Sequence, residues 1–81
     1  MTVTIKFFAY LEEKLGFYKD TMNISRLETI EELKEELKRK YPSLANDVSQ
    51  CKIAVDMTFK QDDDPLEAKQ EIAVIPPVSG G

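Results

Sequence analysis

Polar and apolar residues alternate with period two over Thr2-Val3-Thr4-Ile5-Lys6-Phe7. That is the pattern of a half-buried strand with Val3, Ile5 and Phe7 toward a core. Phe8 falls on the other parity, with Thr2, Thr4 and Lys6. Residues 9–16 read as a turn or short helical segment ending near Gly16. Tyr18 to Ile24 predicts a second strand, antiparallel to the first because the connection is short. The strongest helix follows. Thr29-Ile30-Glu31-Glu32 has the form of a capping box, in which Thr29 accepts from a first-turn amide and Glu32 reaches back to the amide of Thr29. Ile30, Leu33, Leu37 and Tyr41 then recur as one apolar stripe. Glutamates 31, 32, 35 and 36 crowd the early turns and Lys38-Arg39-Lys40 the last, matching the helix dipole at both ends. Tyr41-Pro42 stops the helix, since the residue before proline is pushed out of the α region.

Ser43 to Gln50 is a connector with room for one helical turn. Lys52 to Asp56 predicts a third strand, with Ile53 and Val55 on one face. Asp56-Met57 matches the favoured two-residue hairpin turns poorly, yet Thr58-Phe59-Lys60 reads as a short return strand. Asp62-Asp63-Asp64-Pro65 is a loop. Glu71 to Ile75 is apolar on both parities, as expected of an interior strand, and Pro76-Pro77 must end it because neither can donate a ladder hydrogen bond. The order β-β-α-β-β, finishing on a central strand, is the layout of an α+β domain of the β-grasp, or ubiquitin-like, kind: a mixed sheet packed on one main helix. Residues 1–76 are expected to form the domain and 77–81 a flexible Gly-Gly tail.

Composition narrows the chemistry. Leu, Ile, Val and Phe make up 22 of the 81 residues, enough for a folded core, and the length allows one small domain. The net charge of −4 argues against a nucleic-acid or anionic-membrane binder. The excess is local, since residues 1–40 hold 8 acids and 8 bases and residues 41–81 hold 7 acids and 3 bases. The longest apolar stretch, Ile72 to Val78, is far short of the about 18 residues a membrane span needs, and no secretory signal is expected. There is no histidine, which excludes Ser-His and Cys-His nucleophile pairs and His-containing zinc sites. The single cysteine, Cys51, fits a reducing compartment and so a cytoplasmic protein. It is either a sulfur-accepting thiol or, as favoured here, a partly buried residue entering the third strand. The aspartate triplet lacks the spacing of a calcium loop and reads as a solvated turn, so no metal is expected. Lys38-Arg39-Lys40 is either a helix-terminal charge cluster or, less simply, a grip on a partner's acidic rim. A carrier or binding module is therefore favoured over an independent enzyme.

The sequence closes on Pro76-Pro77-Val78-Ser79-Gly80-Gly81. Two prolines hold the chain extended, and the five residues after Pro76 could reach roughly 16 Å at about 3.3 Å each. The last two, lacking Cβ, can thread a channel too narrow for other residues. The carboxylate of Gly81 is then the group another protein could handle. Activation by ATP would make it a mixed anhydride, and attack by a sulfur donor would leave a thiocarboxylate whose tether raises its effective concentration at the acceptor.

With this ending, together with Lys6-Phe7-Phe8-Ala9, Ala54-Val55-Asp56, Pro65-Leu66 and Ile72-Ala73-Val74-Ile75, the chain resembles the small, sulfur-carrying subunits of molybdopterin synthase. These belong to the β-grasp carriers, with the thiamine-pathway sulfur carrier and the ubiquitin-like modifiers. The resemblance covers the whole chain. One departure is Asp56, where the family usually has Asn after Ala-Val; it is expected to alter a turn rather than the sulfur chemistry. The resemblance implies a chain that is non-catalytic alone and binds no cofactor. An adenylating enzyme of the ubiquitin-activating type would use ATP on Gly81, and a sulfurtransferase would supply the sulfur. The tail would enter the large catalytic subunit of a heterotetramer, where sulfur passes to cyclic pyranopterin monophosphate. Related carriers for thiamine or transfer-RNA thiolation, and a modifier joined to target lysines, use the same activated glycine. Phe8, Phe59 and Ile75, on the parity away from the helix, are expected to form the partner-docking patch beside the tail.

Overall fold

Alternation along the first strand translates directly into burial. In the computed structural model, which describes residues 2–67 and 71–77, β1 spans Thr2–Phe7 and buries Val3, Ile5 and Phe7. A short helix α1, Tyr10–Leu15, ends at Gly16, whose φ of 82° lets its N–H turn back to the Glu12 carbonyl at 2.9 Å; a side chain would strain there. Next come β2 (Lys19–Asn23), the main helix α2 (Ile30–Lys40), a 3₁₀ turn (Pro42–Leu44) and α3 (Ala45–Gln50). Strands β3 (Lys52–Val55), β4 (Thr58–Lys60) and β5 (Glu71–Ile75) complete the domain.

The sheet order is β2-β1-β5-β3-β4. Strand β5 lies in the middle, parallel to β1 and antiparallel to β3, as its apolarity on both parities requires. Ile5 pairs with Ile72 and Phe7 with Val74 across the parallel seam, and Ile53 pairs with Val74 on the other side. These side chains share one face, and α2 covers it with Ile30, Leu33 and Leu37, all fully buried.

Both ends of α2 are tied down, the start to the loop at 62–66 and the end to β1 and β2. At its start, the Glu32 N–H donates to Thr29 Oγ1 at 3.3 Å, as expected of a cap. The reciprocal half differs from the expectation: the Glu32 carboxylate accepts from the N–H of Glu28, not Thr29. Thr29 is extended and bridges to Pro65. The Leu66 N–H donates to the Glu28 carbonyl, so the chain enters the helix as a strand and presents the Glu28 amide to the first turn. The carbonyls of Asp64 and Asp62 accept the N–H groups of Ile30 and Glu31. The aspartate loop is thus a backbone cap for α2, while its side chains turn to Lys34 (2.9 Å from Asp62) and to the Gln61 amide (2.7 Å from Asp64).

At the other end, the Tyr41 ring packs edge-on against Phe7, with centroids 5.2 Å apart, and leans on Phe17. Its hydroxyl donates to the Asp20 carboxylate on β2. That bond, with the Thr21 N–H, holds the Asp20 carboxyl below the usual range. Burial, then Asp20, pushes the phenol well above its ordinary value.

Two expectations need amendment. The connector at 43–50 is nearly all helical, because Leu44 and Val48 are both fully buried and anchor it to the core. Asp56 and Met57, a poor hairpin pair by sequence, still form a two-residue turn with φ of 49° and 70°. Aspartate tolerates the left-handed region better than most residues. Here the Asp56 N–H donates to the Glu71 carbonyl while its carboxylate accepts from the Glu71 N–H, both at 3.0 Å. The departure at Asp56 therefore falls in a turn, clipped to the start of β5.

Candidate functional site

The face of the sheet turned away from α2 has no element over it among the described residues, and β5 runs across its middle toward the end of the chain. Pro76 is buried against the body and Pro77 is exposed. Val78, Ser79, Gly80 and Gly81, the expected 77–81 tail beyond Pro77 with its expected reactive end, lie outside the described residues.

Register shows how the three expected docking residues are arranged. The Phe8 N–H donates to the Val74 carbonyl at 3.3 Å, which sets Phe8 beside Ile75 at the tail-exit end. Ile75 pairs in turn with Lys52. Phe59, 62% exposed, lies two strands from β5. It pairs with Ala54, Ala54 with Ala73, and Ala73 with Lys6. Phe8, Ile75 and Phe59 therefore share one face, the first two as neighbours and the third across a floor of two alanines.

That floor is absent from the sequence reading. The available signal was an alanine between branched apolar residues in each of two strands, Ile53-Ala54-Val55 and Ile72-Ala73-Val74. A small side chain on the outer parity keeps the face shallow, so a partner can approach between the aromatic rings. Lys52 crosses this surface with its Nζ 5.5 Å from the Phe59 ring centroid, a cation–π contact.

Other candidates take structural roles. Cys51 is buried, and burial, aided by the nearby Asp47, pushes its thiol up to about 11. At neutral pH it is a protonated thiol and a poor nucleophile, so it acts as a core residue. The basic run is engaged on its own surface: Lys38 pairs with Glu35, Arg39 with Glu36, and Lys40 with Asp20. Among the described residues no three His, Cys, Asp or Glu side chains stand together to hold a metal. None of the described helices is long and apolar enough to cross a membrane.

The whole arrangement has relatives. Over its full length the chain is 32% identical to the molybdopterin synthase sulfur carrier subunit of Caenorhabditis briggsae, of which it covers 99%. Its fold superposes on that of SAMP1 from Haloferax volcanii with a TM-score of 0.83, at 22% identity and complete coverage of both chains. It also matches a chain in the complex of subunits 1 and 2 of the molybdopterin-converting factor from Helicobacter pylori, with a TM-score of 0.69, 23% identity and complete coverage of both chains. Residues 5–81 match the ThiS family, from the middle of the first strand through the closing glycines, and the chain belongs to that family.

Proposed function

We propose that this protein is the sulfur-carrying small subunit of molybdopterin synthase and that the sulfur travels on Gly81. The observation that carries the reading is the position of β5. The central strand, held on both edges, leads through Pro76-Pro77 directly into Val78-Ser79-Gly80-Gly81. The full-length likeness to a molybdopterin synthase sulfur carrier subunit supports it. The make-up of the body agrees with it: its one thiol is buried and protonated, and it has no histidine.

The body is a handle and the chemistry happens at its end. An adenylating enzyme of the ubiquitin-activating type joins the Gly81 carboxylate to the α-phosphate of ATP and releases pyrophosphate. A sulfurtransferase system delivers sulfur to the carbonyl carbon, AMP leaves, and Gly81 carries a thiocarboxylate. The tail then enters the large catalytic subunit, with two carriers flanking a central dimer of large subunits, and the sulfur passes to cyclic pyranopterin monophosphate. The open face, with Phe8, Ile75 and Phe59, docks the carrier on both partners. One buried thiol suits the reducing cytoplasm.

Intact-mass measurement after incubation with ATP, the adenylating enzyme and a sulfur source tests the reading. Exchange of the terminal oxygen for sulfur adds about 16 Da, and the gain should depend on ATP. No gain overturns the carrier assignment. Conjugates to lysines of unrelated proteins in place of the sulfur would identify a modifier instead.

A further inference from the structure

Charge on the open face is distributed in a way that folding does not explain. The chain is net negative, yet Lys6, Lys19 and Lys52 all lie on this face. Lys6 and Lys19 stand directly opposite one another on β1 and β2, a placement of like charges that weakens a sheet. Glu71, 3.1 Å from Lys6, offsets one of the pair. Lys19 and Lys52 meet no carboxylate among the described residues, and Lys52 rests on the Phe59 ring instead.

The far end of the same face carries no cation among these strand residues. There β1 and β2 present Thr2, Thr4, Thr21 and Asn23, and β5 sets Glu71 opposite Thr4. The cations thus gather toward the end from which the chain leaves for its tail, where Lys52 is level with Ile75, and they flank the apolar residues.

Resting on the carrier reading, we propose that this lysine rim recognises an acidic margin around the tail-receiving mouth of the large subunit. The apolar centre provides the lasting contact. The rim acts earlier, by steering the two proteins together: exposed charges at the edge of an interface govern encounter rate and its salt dependence more than final affinity. Their fields reach about 10 Å at about 0.1 M salt and are cut off at higher ionic strength.

Stopped-flow association with the large subunit, at about 0.05 and about 0.5 M salt, tests the proposal. The double variant Lys19→Glu/Lys52→Glu should associate about tenfold more slowly than wild type at low salt. The gap should close to under about twofold at high salt, with dissociation changed less than about twofold. Lys14→Glu/Lys38→Glu, with the same charge change on α1 and α2, should associate within about twofold of wild type. Lys19→Gln/Lys52→Gln, a milder change, should fall between; circular dichroism checks that each variant is folded. Association of the rim variant at the wild-type rate, or a loss equal to that of the helix variant, overturns the rim. A wild-type chain that neither gains sulfur nor binds the large subunit overturns the carrier reading, and the rim with it.

Discussion

The same strands serve two faces of one sheet, and the faces differ in nearly everything but their backbone. Toward α2, Val3, Ile5, Phe7, Ile53, Val55, Ile72 and Val74 are each no more than 3% exposed, and full burial of such side chains is worth about 1.5–3 kcal/mol each. Away from α2, one residue along each strand, alanine, lysine and threonine predominate, with Asn23, Glu71 and Ile75 among them and Phe59 mostly in solvent. Stability is concentrated on the first face. The second face is the one the proposed function assigns to recognition. On that reading the separation would let a carrier fit more than one protein without reshaping its core.

Each substitution below tests that separation. The largest effect should come from removing Gly81: sulfur loading should vanish in intact-mass assays while thermal unfolding is unchanged, since a chain end contributes little to a core. On the closed face, Leu37→Ala should cost about 3 kcal/mol in urea unfolding, with the folded fraction still binding partners. On the open face the pattern should invert. Phe59→Asp should weaken binding of the large subunit by about tenfold or more in a titration, while its unfolding free energy moves by less than about 0.5 kcal/mol. Undiminished affinity would dissociate the patch from docking.

The smallest effect concerns the seam between α2 and β2. Tyr41→Phe removes the hydroxyl that holds Asp20 and should cost about 1 kcal/mol at neutral pH. The folded-state pKa of Asp20 lies below its ordinary value, so its contribution is present above the ordinary carboxylate range and fades as pH falls through the folded value. Wild type and Tyr41→Phe should therefore draw together in stability as pH falls from the ordinary carboxylate range through the lower folded value, as acid titration followed by circular dichroism would show.

Much of this fold was legible because it depends on parity. The burial of Val3, Ile5 and Phe7, the stripe of α2 and the central place of β5 all follow from which residues are apolar and how they are spaced. What escaped depends on partners distant in sequence. The helical stretch Pro42–Gln50 looked polar because only Leu44 and Val48 in it are buried. The turn at Asp56-Met57 looked wrong because its support comes from Glu71, 15 residues on. The alanine floor and lysine rim exist only once register is known: nothing in the separate segments around Lys6, Lys19 and Lys52 says that they share a face. Of the expected docking residues, that Phe8, Phe59 and Ile75 share a face followed from parity, while their spacing across the two alanines needed the register.

The parallel seam between β1 and β5 has a consequence for how the molecule is made. Ile5 meets Ile72, so a residue among the first to leave the ribosome waits for one near the last, and such distant pairings are slow to form. Until β5 arrives, β1 and β3 have no strand between them and the nascent sheet stays in two halves. On the proposed carrier reading, an activating enzyme that grips the finished sheet would act only on chains in which β5 has already taken its place, and folding itself would serve as a checkpoint on delivery.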